Sequence, residues 1–161
     1  MQEILEICTR RGFICPTVYE GPYNLIDRAF ENAIIPLLRA NGIRLAAHSP
    51  LAGGYLTGKL LPVSKDADTP TPTTSVLSHF DPNWPVSSYY TKRYPPMGYA
   101  LAELQTFVIA RGFTLQEVAY RWLQWHSAMV QEDHGLVIGA STVAQLESTI
   151  ADWCVMVHSF A

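Results

Sequence analysis

Two side chains in this sequence suit acid–base chemistry by type and placement. Glu20 directly follows the short apolar run Phe13–Tyr19, and His48 closes a second such run, Ile43–Ser49. A carboxylate and an imidazole that meet at a substrate could take up and deliver a proton near neutral pH. The same two groups could instead form a satisfied polar pair with no chemistry. Ser49-Pro50-Leu51-Ala52-Gly53-Gly54 follows the second run. Its two glycines let a backbone approach a ligand closely, and amides in such a loop can bind phosphate; a simple turn is the other reading. Gly139-Ala140-Ser141-Thr142, followed by Gln145, opens a helix. A helix start offers unpaired amides and a positive dipole end, and the hydroxyls add donors, so an anion suits it. Ordinary capping would use the same residues. Cys8, Cys15 and Cys154 are few, odd in number and without metal-ligand spacing. They read as buried, reduced thiols, and no metal is expected.

These residues need elements to position them. Gln2–Arg11 has helical apolar spacing with Gly12 as its C-cap, and Phe13–Tyr19 reads as a strand. Asn24–Ala40 reads as a helix and Ile43–Ser49 as a buried strand. Residues 50–98 form a long excursion rich in Pro, Gly, Ser and Thr, expected to hold little regular structure. A helix follows from about Pro96 to Arg111. Thr114-Leu115-Gln116-Glu117 is a capping box opening a helix that runs to about Ser127. Leu136–Ile138 reads as a third strand, and Thr142 to Gln145 opens the last helix. Short buried strands alternating with helices predict an α/β fold of parallel βαβ units. Three strands cannot close a barrel, and they leave two edges with unpaired backbone groups. A homodimer, or a partner chain, is expected to cover those edges.

The 161 residues fit a single domain, 1–161, interrupted by the long loop 50–98. Only 16% are charged, against roughly 25% in typical soluble domains, which again points to covered surface. The net charge is −3 and no basic block occurs, so a nucleic-acid partner is not expected. Apolar runs are too short for a bilayer, so no membrane partner is expected either. The start, with Glu3 and Glu6, lacks the pattern of a secretory leader. A cytoplasmic protein with a small-molecule ligand is the expectation.

Three segments carry a family resemblance: PTVYEGPYNLIDR at 16–28, GIRLAAHSPLAGGYLTGK at 42–59, and RWLQWHSAMVQEDHGLVIGASTVAQLES at 121–148. In order and spacing they resemble the sixth, seventh and eighth βα units of an aldo-keto reductase, most of all the aflatoxin-aldehyde-reductase-like branch. The resemblance implies a partial (β/α)8 barrel and an NADP(H) cofactor. It places Ser49, Leu51 and Gly53 around the cofactor pyrophosphate, and Ser141, Thr142 and Gln145 at the 2′-phosphate and adenine. Ser148 and Thr149 depart from the family's next contacts, usually Glu or Gln and then Asn. His48 stands where the family has an aromatic residue stacked on the nicotinamide. Glu20 stands where a Gln holds the carboxamide, and a carboxylate can accept from that amide but cannot donate to its carbonyl.

The family's catalytic Asp, Tyr, Lys and His come from earlier βα units and match no residue of this sequence. Tyr19, Tyr23, Lys59 and His126 do not fit the motif. The implied function is a nominally NADP-dependent oxidoreductase acting on an aldehyde or ketone, with its tetrad supplied by another chain. Other readings stay open: a non-redox enzyme of isomerase or cyclase type using Glu20 and His48, a non-catalytic small-molecule-binding module, or a truncated product without function.

Overall fold

A computed structural model describes residues 1–61 and 79–154. The expected α/β architecture is present. Three parallel strands, β1 (Val18–Pro22), β2 (Arg44–His48) and β3 (Gly135–Val137), form an open sheet in the order β1-β2-β3. Among the described residues six α-helices accompany them: α1 Gln2–Arg11, α2 Ile34–Ala40, α3 Ser87–Arg93, α4 Gly98–Ile109, α5 Leu115–Trp125 and α6 Val143–Cys154. This is the partial barrel anticipated, with β2 as its buried centre.

Strand pleating divides the sheet into two faces. Leu45 and Ala47 point to one side and pack with Tyr23, Ile35, Leu38, Ile43 and Leu123 beneath the helices. On the other side stand Glu20 beside Ala46 and Pro22 beside His48, with Val137 next to His48 on the far strand. A second core lies away from the sheet, where Tyr55, Leu56, Tyr94, Leu101, Leu115 and Ala119 bury one another.

Several elements differ from expectation. The first strand begins at Val18, not Phe13. Phe13 and Ile14 are spent on the turn that closes α1. There Gly12 is left-handed (φ 66°), and the Phe13 amide returns to the Cys8 carbonyl at 2.9 Å. Ile14 is 96% exposed as a result, and Pro16 has no N–H to give a sheet. The same turn leaves Cys15 exposed. Cys154 is exposed too, and only Cys8 is buried, so the expectation of three buried thiols fails for two of them.

The long helix expected over Asn24–Ala40 is a 3-10 turn at Ala29–Glu31 followed by the short α2. Pro36 explains the late start. A proline is tolerated only in a helix's first turn, so α2 cannot extend far upstream. Asn24 explains the rest: its Oδ1 accepts the Ile26 and Asp27 amides at 3.1 and 2.9 Å, a local turn that competes with helix. The excursion at 50–98 is more ordered than its composition suggests, holding a 3-10 helix at Ala52–Thr57, then α3, then another 3-10 turn at Pro95–Met97. Its middle, with the tail beyond residue 154, lies outside the described residues. The Thr114 cap forms as read, accepting the Glu117 amide at 3.0 Å.

One ion pair fixes the sheet's start. Asp133, with its side chain 1% exposed, takes both guanidinium nitrogens of Arg39 at 2.6 Å. It also accepts the Leu45 amide at 2.8 Å and the Val130 amide at 3.0 Å. Burial alone would raise this carboxyl, but the Arg39 bonds and the two amides outweigh it and hold it below the ordinary aspartate range. The α2 end, the β2 start and the approach to β3 thereby meet at one side chain.

Candidate functional site

The C-terminal ends of the strands collect the loops in which ligand chemistry was expected. β2 ends at half-buried His48, whose Nδ1 lies 2.9 Å from Ser49 Oγ. Ser49 is left-handed (φ 56°), unusual for a residue with a side chain. Two bonds hold it there. Its carbonyl accepts from Asn24 Nδ2 at 2.9 Å and from the Ala52 amide at 2.9 Å. Ala52, Gly53 and Gly54 are also left-handed, at 53°, 68° and 99°. Four such residues among six make a tight coil rather than an open loop. The Gly54 and Leu56 amides both return to the Leu51 carbonyl, at 2.9 and 3.1 Å.

The two glycines have different surroundings. A Cβ on Gly53 would lie 2.5 Å from the Tyr90 ring, whereas one on Gly54 would meet nothing within 4 Å. The close approach that requires glycine at 53 is thus made by an aromatic ring of the chain itself. Gly54 faces open space. Tyr90 belongs to α3, which carries an aromatic group with His79 and Tyr89 at ring separations of 4.8 and 5.1 Å. A part-buried ion pair pins α3: Asp27, after β1, binds Arg93 through two bonds of 2.8 and 2.6 Å. The Asp27 bond raises the Arg93 guanidinium further, and burial followed by the Asp27 charge raises the Tyr94 phenol.

Asn24, Asp27, Tyr90 and Arg93 therefore shape this end of the sheet, and sequence reasoning did not select them. Asn24 and Asp27 lay within the segment 16–28, flanking a turn. That turn was the available signal, but its polar residues had been assigned to a helix. Nothing local in the sequence pairs Asp27 with Arg93.

After β3 the chain passes exposed Ile138 and Gly139 to the start of α6. Thr142 Oγ1 accepts the Gln145 amide at 3.2 Å, and Gln145 Oε1 accepts the Ser141 amide at 2.8 Å. Thr142 thus caps the helix, while Gln145 reaches back one residue further than in a standard capping box. This engages Gln145 and the Ser141 amide inside the helix start, while both hydroxyl-bearing residues remain exposed. A Cβ on Gly139 would meet nothing within 4 Å. Polar contacts dock α6 to α5: Gln116 reaches Asp152 at 2.7 Å, and Gln124 reaches the Trp153 carbonyl at 2.7 Å.

The structure thus brings Ser49, Leu51 and Gly53 to the end of β2, and Ser141, Thr142 and Gln145 to the end of β3, its hydrogen-bonded neighbour. Glu20 and His48 share a sheet face, but not a row. Glu20 is opposite Ala46, His48 is opposite Pro22, and Glu20 is the exposed third residue of five in β1 rather than its last. His48 makes its polar contact with Ser49. A shallow hollow between α1 and α2, lined by Leu5, Thr9 and Leu37 among others, lies in the helix layer and takes no part in this arrangement.

Residues 1–157 match the family model described as "Aldo/keto reductase family". Similar curated proteins include human "Aflatoxin B1 aldehyde reductase member 4", 36% identical over 155 residues that cover 92% of this chain and 45% of that protein. Mouse "Aflatoxin B1 aldehyde reductase member 2" is 36% identical over 92% of this chain and 41% of its own length. "Oxidoreductase sirO" of Leptosphaeria maculans is 33% identical over 94% of this chain and 44% of its own length. The chain therefore spans less than half the length of these relatives.

Proposed function

This chain belongs to the aldo/keto reductase family, and we propose that it is the cofactor-holding part of an NADP(H)-dependent oxidoreductase acting on an aldehyde or ketone. One observation carries the reading. Two segments suited to a phosphate-bearing dinucleotide sit at the same end of two paired strands, after His48 and after Val137. The α6 start fits a terminal phosphate, because Ser141 and Thr142 are exposed at the positive end of a twelve-residue helix. Gln145 would have to release the Ser141 amide to add that donor. The Ser49–Gly54 coil fits less openly: Gly54 is its accessible member, and Gly53 is covered by Tyr90.

Bound in this way, NADPH would supply a hydride. Ser141 and Thr142 would hold its 2′-phosphate, and His48 and Glu20 would border the nicotinamide end. Reduction of a carbonyl also needs a proton for the developing alkoxide. Burial pushes the Tyr23 phenol up to about 12, and it raises those of Tyr55, Tyr94 and Tyr120 as well. A tyrosine acting as proton donor needs the opposite shift. This supports assigning proton donation to a group other than these four buried tyrosines.

The assembly would use the outer edges of β1 and β3, most simply in a homodimer. Exposed Val137, Ile138, Val143, Leu146 and Ile150 beside the β3 edge favour such covering. Among the described residues no helix is long and apolar enough to cross a membrane, and cytoplasmic residence is part of the proposal.

The test is a fluorescence titration of the purified chain with NADPH and NADH, followed by an aldehyde-reduction assay. NADPH should bind more tightly than NADH, with negligible turnover. Absence of saturation at millimolar NADPH would remove the cofactor role. Robust turnover by the chain alone would place a proton donor within it.

A further inference from the structure

Within the coil after β2, Gly53 is closed by another part of the chain, while Gly54 is open. A Cβ on Gly53 would lie 2.5 Å from Cδ1 and Cε1 of Tyr90 and 3.4 Å from the Cβ of His79. The Tyr90 ring therefore rests on the Gly53 backbone, with His79 beside it. Other rings seat Tyr90 there: His79 at 4.8 Å, Tyr89 at 5.1 Å and Phe80 at 5.8 Å between centroids. Tyr90 belongs to α3, a helix of seven residues, too short to be stable without its tertiary contacts. Among these is the Arg93–Asp27 pair, in which the arginine side chain is still 37% exposed.

We propose that Tyr90 is an autoinhibitory plug: its ring holds the Gly53 side of the coil in the free chain and must swing out with α3 before the diphosphate of a dinucleotide can settle there. The proposal rests on the cofactor reading above and adds a closed state to it. A charged diphosphate cannot share that space with the ring. The two would overlap, and the aromatic wall offers no donor to replace the water the phosphates lose. The cofactor therefore selects the open state, and its apparent affinity is reduced by the fraction of chains in which α3 stands open. Linkage requires the converse, so bound cofactor must loosen α3. A tyrosine that merely packs against Gly53, or one that stacks on the ligand, would have neither effect.

The experiment titrates the full chain and its Tyr90→Ala and Asp27→Asn variants with NADPH, read by cofactor fluorescence. Amide hydrogen exchange of the wild type is followed with and without NADPH. Tyr90→Ala should bind on the order of tenfold more tightly than the wild type. Asp27→Asn keeps the ring but weakens the tether of α3, and should also gain affinity, by less. In the wild type, saturating NADPH should speed exchange of the α3 amides while slowing exchange at the α6 start. The exchange measurement needs no substitution, so it decides the matter even if a variant misfolds. Saturable binding with affinity unchanged or weakened in Tyr90→Ala, or α3 amides that NADPH slows or leaves alone, would overturn the plug while the cofactor reading stands. Absence of saturation at millimolar NADPH in both the wild type and Tyr90→Ala would remove the cofactor reading and the plug together.

Discussion

Ser141 and Thr142 each have a hydroxyl, and in the free chain one of them, Thr142, is spent on the Gln145 amide. Changing both to Ala should weaken NADPH binding by roughly 1–3 kcal/mol, the worth of donors to a charged phosphate. NADH, without the 2′-phosphate, should bind almost unchanged, and parallel fluorescence titrations would read the difference. Equal losses for both cofactors would mean a general collapse of the α6 start. Asp133 offers a stability test at the same scale. Asp133→Ala leaves Arg39 and two amides without their acceptor, and should cost about 3 kcal/mol in urea unfolding. Its carboxyl is held below the ordinary range in the fold. Its contribution is therefore complete above the unfolded value near 3.9 and is lost as pH falls through the folded value. Asp133→Asn should flatten the acid limb of the stability profile below roughly pH 4.

Among the elements, the coil after β2 makes a sharper prediction. Gly53→Ala meets both a left-handed backbone and the Tyr90 ring, whereas Gly54→Ala meets backbone strain alone. The first should cost about 2–3 kcal/mol and the second about 1 kcal/mol. In a Tyr90→Ala background the two costs should converge, as thermal or urea unfolding would report. The glycines themselves were legible in the sequence, but what they admit was not: a ligand was expected, and at Gly53 the chain's own aromatic ring fills the space. The three strands and five of the described helices, all but α3, could be anticipated from apolar spacing and caps, and Thr114 shows why, since its cap is purely local. The first strand was misplaced because Phe13 and Ile14 are apolar yet serve a turn. The Asp27–Arg93 pair depends on a partner 66 positions along the chain, which periodicity does not encode, whereas the Asn24 turn is local but its residues also suit a helix start. The two loops proposed to take phosphate could be picked out in the sequence because each joins a strand end to a glycine or a helix start.

For the whole molecule, the open sheet and its low charge content motivate self-association. Light scattering at micromolar concentration should give a mass well above the 17.9 kDa of one chain. A soluble monomer over that range would remove the homodimer. Replacing Val137, on the β3 edge, with Lys should shift the equilibrium toward single chains by burdening the edge with charge.

The reach of the Asp133 clasp also has a kinetic consequence. It ties Arg39 and Leu45 to a residue 94 and 88 positions away, whereas β1, α2 and β2 follow one another closely in the chain. Closing so long a loop costs entropy before any bond repays it, so β3 should dock after the β1–α2–β2 unit has formed. The reverse holds in the native state: β3 can detach while that unit persists. Amide hydrogen exchange should then find the β3 amides and the Leu45 amide opening at a lower free energy than the β2 amides bonded to β1, as two separable steps of protection within a single sheet.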